Sequence, residues 1–337
     1  MTKAKVLIIG FGGVGIVSGY SLEHNGKAEV TAVVRSDYEL VIEKGYDIES
    51  VDYGRVEGFR PSHLVKTVEK AAEYGPFDFV LVTTKNTPDI FKIEDLIRPV
   101  VTPKLTTVVL SQNGIGIQDS VINLFPENIV LSVVSMISSN KFKTIVKHVS
   151  KDISGVGYFE NENLHKCIQK EAAEWFISLY SNQFNECYYD SDTNYARWRK
   201  LVYNATLNSV CTLTGVDSGR LEMFGGYEGI IKIAMNEVVS IARADGANLP
   251  DDIIEIMLRA DDGIWCTPSM LVDSRKGNFI ELEVIAGNPV RIAKKHGISA
   301  PFLTMAYELL KVIQCHTKEA KGLITIPEER PLNHKAS

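Results

Sequence analysis

The stretch KVLIIGFGGVG, Lys5 to Gly15, is an apolar β-branched run that ends in Gly10 and is followed by Gly12, Gly13 and Gly15, of which Gly12 and Gly15 continue at spacings of two and three. That pattern predicts a short buried strand, a tight turn and the start of a helix. IVSGYSLEHNG keeps helical spacing and stops at Gly26, and EVTAVVR, Glu29 to Arg35, reads as the next strand. Strand, glycine turn, helix and strand over this length make one βαβ unit of a parallel sheet. In that setting Gly10, Gly12 and Gly15 form the G-x-G-x-x-G of a dinucleotide site, with Phe11, Gly13 and Val14 completing the loop. The reason is space: Gly10 permits the turn, Gly12 lets backbone N–H groups approach a pyrophosphate, and Gly15 lets the helix lie close to the sheet. The helix start adds donors and partial positive charge. Packing alone is the alternative reading of such glycines.

The tip of the second strand reads the ribose. An NAD-type site shows an acid there; here Arg35 and Ser36 stand in its place. A guanidinium and a hydroxyl suit a 2′-phosphate, so NADPH is the expected cofactor. Arg35 as a solvated strand-end charge stays open, since Asp37 is near. Lys85 and Asn113 follow the strands DFVLVTTK and TTVVLSQNG, where open α/β sheets bind ligands. Lys85 is placed to reach cofactor hydroxyls or phosphate and Asn113 the nicotinamide end, although Asn-Gly is also a common turn dipeptide.

Working outward, NIVLSVVSMISS is a further strand, TIVKHVSKDISGVGYFEN reads as antiparallel edge strands, and KCIQKEAAEWFISLYSNQF as an amphipathic helix that closes the sheet. After about Cys187 the period is almost wholly helical. The expected organisation is an N-terminal Rossmann-type parallel-sheet domain over 1–188 and an all-α domain over 189–337. A length of 337 residues suits two domains, 45% hydrophobic and 23% charged residues are ordinary globular composition, and a net charge of -6 gives no reason to expect nucleic acid or an anionic membrane surface as partner. Five scattered cysteines, none paired at metal-ligand spacing, suit a reducing compartment and predict no metal. The N-terminus enters a strand within a few residues and no run is long enough to span a bilayer, so the reading is soluble and cytoplasmic. Helices such as IIKIAMNEVVSIA, Ile230 to Ala242, suit either a homodimer contact or an intradomain core.

In WRKLVYNATLNSV, Trp198 to Val210, Lys200, Asn204 and Asn208 recur every four residues among apolar neighbours. Steps of four advance about 40° each on an α-helix, so the three form one polar ridge. Buried amides and amines need partners. Another helix supplies them, or a ligand does.

The glycine loop, Arg35, TTK at Lys85, QNG at Asn113, RKLVYNATLN from Arg199, PSML from Pro268 and ELEVIAGNPVRIAKKHGI from Glu281 occur in an order that resembles the ketopantoate reductase (2-dehydropantoate 2-reductase) family, from Lys5 to about Gly322. The resemblance implies a Rossmann domain followed by a helical domain like the C-terminal one of 6-phosphogluconate dehydrogenase, with the active site in the cleft between. It implies reduction of 2-dehydropantoate, a small 2-oxo acid, by NADPH to (R)-pantoate in pantothenate and coenzyme A synthesis. It also implies roles: Lys200 as proton donor, Glu281 as acid near the substrate hydroxyl, Asn204 and Asn208 as substrate hydrogen-bonders, Ser269 at the substrate carboxylate and Asn113 on the cofactor side. Glu281 and Glu283 cannot share a helix face, so one is expected toward the site and the other toward solvent. The chain departs from the family pattern at Cys266, often Asn, and at Ala286, often Asn, which puts substrate identity in question. Another 2-oxo acid, a ketolactone, or a silent NADPH-sensing protein are the rival readings. Tyr307 and Lys311 form the Y-x-x-x-K of short-chain dehydrogenases, but in a late helix that points to packing.

Overall fold

The computed structural model describes residues 2–330, and the chain forms two compact units, 1–200 and 201–337. In the first, twelve strands make two sheets: β1 (Ala4–Ile9), β2 (Ala28–Val33), β3 (Tyr46–Ser50), β4 (Gly54–Phe59), β5 (His63–Val65), β6 (Phe79–Val82), β7 (Thr107–Leu110), β8 (Val130–Ser135), β9 (Ser138–Phe142), β10 (Ile145–Ser150), β11 (Ile153–Tyr158) and β12 (Glu186–Tyr189). The main sheet has the order β12-β11-β8-β7-β6-β1-β2-β5. From β5 to β8 all neighbours are parallel. Its central strands β6 and β7 are buried at every position, which is why they read as unbroken apolar runs rather than alternating ones.

Beyond β8 the sheet departs from the expectation. β11 is antiparallel to β8, but it is an interior strand because β12 pairs parallel to its far side. β10 belongs to a separate four-stranded sheet of order β4-β3-β10-β9, where it runs parallel to β3 and antiparallel to β9. The helix Lys166–Tyr180 packs on β11 and β12 and meets the first helix, Gly13–His24, where Ser21 Oγ donates to Tyr180 O at 2.9 Å.

The first unit runs past the expected boundary at 188/189 to Lys200, and Arg197 is the physical reason. Its guanidinium is buried and donates to Ser132 Oγ (2.9 Å), Gln112 O (3.1 Å) and Gly114 O (2.9 Å), with the Phe159 ring 4.8 Å away. Carbonyls just past β7 are thereby satisfied by the first turns of the helix Thr193–Tyr203, which ties those turns to the sheet.

The second unit is helical in its described residues. The helix Thr193–Tyr203 continues through a wider π-helical turn, Asn204–Asn208, into Ser209–Thr214 and ends at Gly215, whose φ of 75° is open to glycine. Thr206 Oγ1 donates to Val202 O at 2.7 Å, so a side chain serves a carbonyl where the backbone ladder shifts. Further π turns lie at Tyr227–Ile231 and at Glu283–Gly287, the latter leading into Asn288–His296. Pro289, the second residue of that helix, has no N–H to return to the preceding turn. The helix Lys232–Ala244 buries Ala234, Met235, Val238, Val239, Ile241 and Ala242, which favours the intradomain-core reading of that segment.

Candidate active site

The glycine loop joins β1 to the helix Gly13–His24. Gly10 has φ 104°, and a Cβ there would stand 2.5 Å from Thr84 N, so only glycine serves. A Cβ on Gly15 would stand 2.5 Å from Gly10 O, the carbonyl that also accepts from Thr83 Oγ1 at 2.7 Å. Gly12 differs: the nearest atom to its Cβ position is Gly10 O at 3.9 Å. The loop therefore opens at Gly12 and is closed around it, which is the cradle a pyrophosphate needs. The helix that follows has no side-chain cap and no acid in its first turn, so nothing in it competes for the N–H groups of Gly13, Val14 and Gly15. Phe11 is buried, its ring 5.7 Å from that of Tyr46.

Arg35 and Ser36 are exposed just past the end of β2. The Asp37 carboxylate is bonded to Lys141, and the Glu39 carboxylate to Lys66 at 2.6 Å. Both acids after Arg35 are thus engaged by lysines from other parts of the unit. Lys85 is exposed past β6 and Asn113 half-buried past β7. A side chain absent from the expectations holds these two loops together. Gln112 is buried, accepts from Asn86 Nδ2 at 3.2 Å and donates to Thr84 O at 2.8 Å. Its signal was in the QNG triplet, directly before Asn113.

Lys200 is half-buried and its Nζ donates to Ser135 O, past the parallel part of the sheet, at 2.5 Å. Asn204 and Asn208 follow on the same helix and are buried, with Asn208 only 2% exposed. The π turn preserves the ridge. Four residues overshoot an α turn but fall short of the wider one, so the drift from Lys200 to Asn204 is reversed from Asn204 to Asn208. Asn208 Nδ2 is buried with no hydrogen-bond partner among the described residues. A buried amide donor left unmade costs roughly 1–3 kcal/mol, so this is a donor waiting for an acceptor.

Within the second unit the π turn Asn204–Asn208 touches both the helix Ser269–Arg275 and the π turn Glu283–Gly287. The elements that carry Asn204, Asn208 and Ser269 therefore converge with the turn that begins two residues after Glu281. Ser269 is exposed at the first turn of its helix, and Glu281 is 3% exposed. Glu283 corrects the expectation of a solvated acid: it takes Arg291 at 2.7 Å and the Tyr307 hydroxyl at 2.9 Å. That contact also gives Tyr307 a structural partner, and Lys311 pairs with Glu308 at 3.1 Å.

A second group that the sequence did not reveal stands beside Asn204. The Tyr203 hydroxyl donates to Asp261 and lies 3.8 Å from Cys266 Sγ. Burial first, then the Asp261 charge, push the Cys266 thiol up to about 11, so it stays protonated at neutral pH. Tyr203 and Asp261 thus flank Cys266, the position where the resemblance leads one to expect Asn.

The N-terminal model of the family described as ketopantoate reductase PanE/ApbA matches residues 6–161, and its C-terminal model matches 192–314. An uncharacterized protein of Saccharomyces cerevisiae is 37% identical over 97% of this chain and 98% of its own. The crystal structure of 2-dehydropantoate 2-reductase from Methylococcus capsulatus is similar at 30% identity and a TM-score of 0.78, covering 93% of this chain and 97% of that one. D-mandelate dehydrogenase, solved with NADH and anilino(oxo)acetate, shares the fold at 21% identity and a TM-score of 0.78, covering 93% and 99%.

Proposed function

The chain belongs to the ketopantoate reductase family, and from that premise we propose that it is an NADPH-dependent reductase of a small 2-oxo acid. The substrate the family points to is 2-dehydropantoate, reduced to (R)-pantoate on the route to pantothenate and coenzyme A. The observation that carries the reading is the ridge of Lys200, Asn204 and Asn208, whose last member presents a buried amide donor with no partner among the described residues.

A bound reduced nicotinamide supplies hydride to the carbonyl carbon. The chain supplies the rest. As charge develops on the carbonyl oxygen, the Lys200 ammonium stabilises it and gives up a proton from Nζ. Its bond to Ser135 O holds the amine in one rotamer. Asn204 and Asn208 orient the substrate without adding a charge that competes with the ammonium, Ser269 meets the carboxylate and Glu281 a hydroxyl. Gly10 to Gly15 hold the pyrophosphate, Arg35 a 2′-phosphate, Lys85 and Asn113 the ribose and nicotinamide side. Five free cysteines accord with a reducing, cytoplasmic setting.

Cys266, with Tyr203 and Asp261 around it, favours a second reading in which the physiological substrate is another 2-oxo acid, since it alters the polar character of that position. An absorbance assay of NADPH consumption with 2-dehydropantoate and a panel of 2-oxo acids tests both. Turnover of 2-dehydropantoate above the panel supports the first, and turnover of another member supports the second. Tight NADPH binding without turnover of any would replace both with an NADPH-sensing role.

A further inference from the structure

The small sheet of the first unit lies outside the dinucleotide fold proper, yet its edge strand β9 runs against the glycine loop: a Cβ on Gly13 would stand 2.3 Å from Ser139 O. Two residues further along β9, Lys141 bonds the Asp37 carboxylate, and the two side chains are only 23% and 20% exposed. Asp37 comes two residues after Arg35, at the strand end where the ribose edge of a dinucleotide is read.

The charges decide what that place prefers. Arg35 and Asp37 alone sum to zero, and the acid would either pair with the guanidinium or accept from a 2′-hydroxyl while repelling a phosphate. With Lys141 on Asp37 the three sum to +1, and the carboxylate is turned to a lysine rather than to the ribose. The pair is largely out of water, so salt and solvent weaken it less than a surface pair.

We propose that Lys141 determines cofactor specificity by holding Asp37, which leaves Arg35 to a 2′-phosphate and selects NADPH over NADH. The inference rests on the NADPH reading above. Its test needs no substrate: NADPH and NADH are titrated by fluorescence against the full chain and its variants. Lys141→Gln is expected to lower NADPH affinity about tenfold relative to NADH, the loss of one charge-assisted contact. Adding Asp37→Asn to it is expected to restore most of the preference, because no acid then remains to be neutralised. Asp37→Asn alone, in a chain that keeps Lys141, is expected to prefer NADPH at least as strongly as wild type, and this readout does not depend on how Lys141→Gln folds. An unchanged ratio in Lys141→Gln, a double variant no better than the single, or a weakened preference in Asp37→Asn would each overturn the proposal. A wild-type chain with no preference for NADPH would instead overturn the cofactor reading beneath it.

Discussion

Asn208 shows at the scale of one residue how stability and function separate. Its Nδ2 is buried and unpartnered among the described residues, so the folded state carries a desolvated donor that returns nothing to it. Asn208→Leu, close in volume and apolar, is expected to leave stability unchanged or raise it by about 1 kcal/mol while KM for the 2-oxo acid climbs. A urea titration beside steady-state kinetics checks this; a large loss of stability would show that the amide has a structural partner after all. Lys200 is a different case, because the role proposed for it lies in proton transfer. Lys200→Ala is expected to lower kcat by about 10²–10⁴ with NADPH affinity retained. A fully active alanine variant would remove the proton donor from the mechanism. The ridge itself was legible in the sequence from its spacing alone. That its last amide lacks a partner was not, since nothing local records which donors the neighbouring helices leave unmet.

Among elements, the glycine loop separates positions that a motif lumps together. Gly13→Ala must push against the Ser139 backbone, an overpacking that costs about 1–3 kcal/mol, whereas Gly12→Ala meets nothing closer than 3.9 Å. Thermal unfolding should therefore fall for the Gly13 variant only, while NADPH titration should fail for the Gly12 variant with its fold intact. Equal destabilisation of the two would contradict the open cradle. Asp152, between β10 and β11, ties the loop to the helix Lys166–Tyr180: it accepts from Tyr180 Oη at 2.6 Å and Ser154 Oγ at 2.8 Å. Burial raises its carboxyl pKa, only partly opposed by these bonds and by His148. A carboxyl raised in the folded state contributes its stability in full below the unfolded pKa and loses it as pH rises through the folded one. Asp152→Asn should then stabilise the chain at neutral pH, with the gain shrinking as pH falls into the ordinary carboxylate range. Urea midpoints at two pH values decide it, and a gain that grows in acid would refute the sign.

For the whole molecule, the five free cysteines give each unit its own reporter. Burial pushes the thiols of Cys187 in the first unit and Cys211 in the second up to about 12, while Cys167 and Cys315 are exposed. A native chain treated with a thiol-alkylating reagent should lose the exposed pair first and the buried pair only on opening. NADPH at about 100 times its Kd should slow labelling of Cys187 about a hundredfold, because opening of the first unit must first release the cofactor. Labelling of Cys187 that ignores NADPH would remove the cofactor site from that unit.

The sequence by itself determined the parallel sheet, the glycine turn, the helical second half and the polar ridge. Each rests on local chemistry: a period of apolar residues, a φ that only glycine adopts freely, a spacing along one helix. The second sheet lay beyond its reach, because β3 and β4 are short, partly exposed strands and β3 finds its parallel partner β10 almost a hundred residues away. The tertiary structure alone decided that Arg197 closes the sheet end, that the π turn Asn204–Asn208 keeps the ridge in line, and that Lys141 bonds Asp37. Contacts of that kind depend on which segments chain closure brings together, and burial then makes the charge or hydrogen bond between them strong enough to matter.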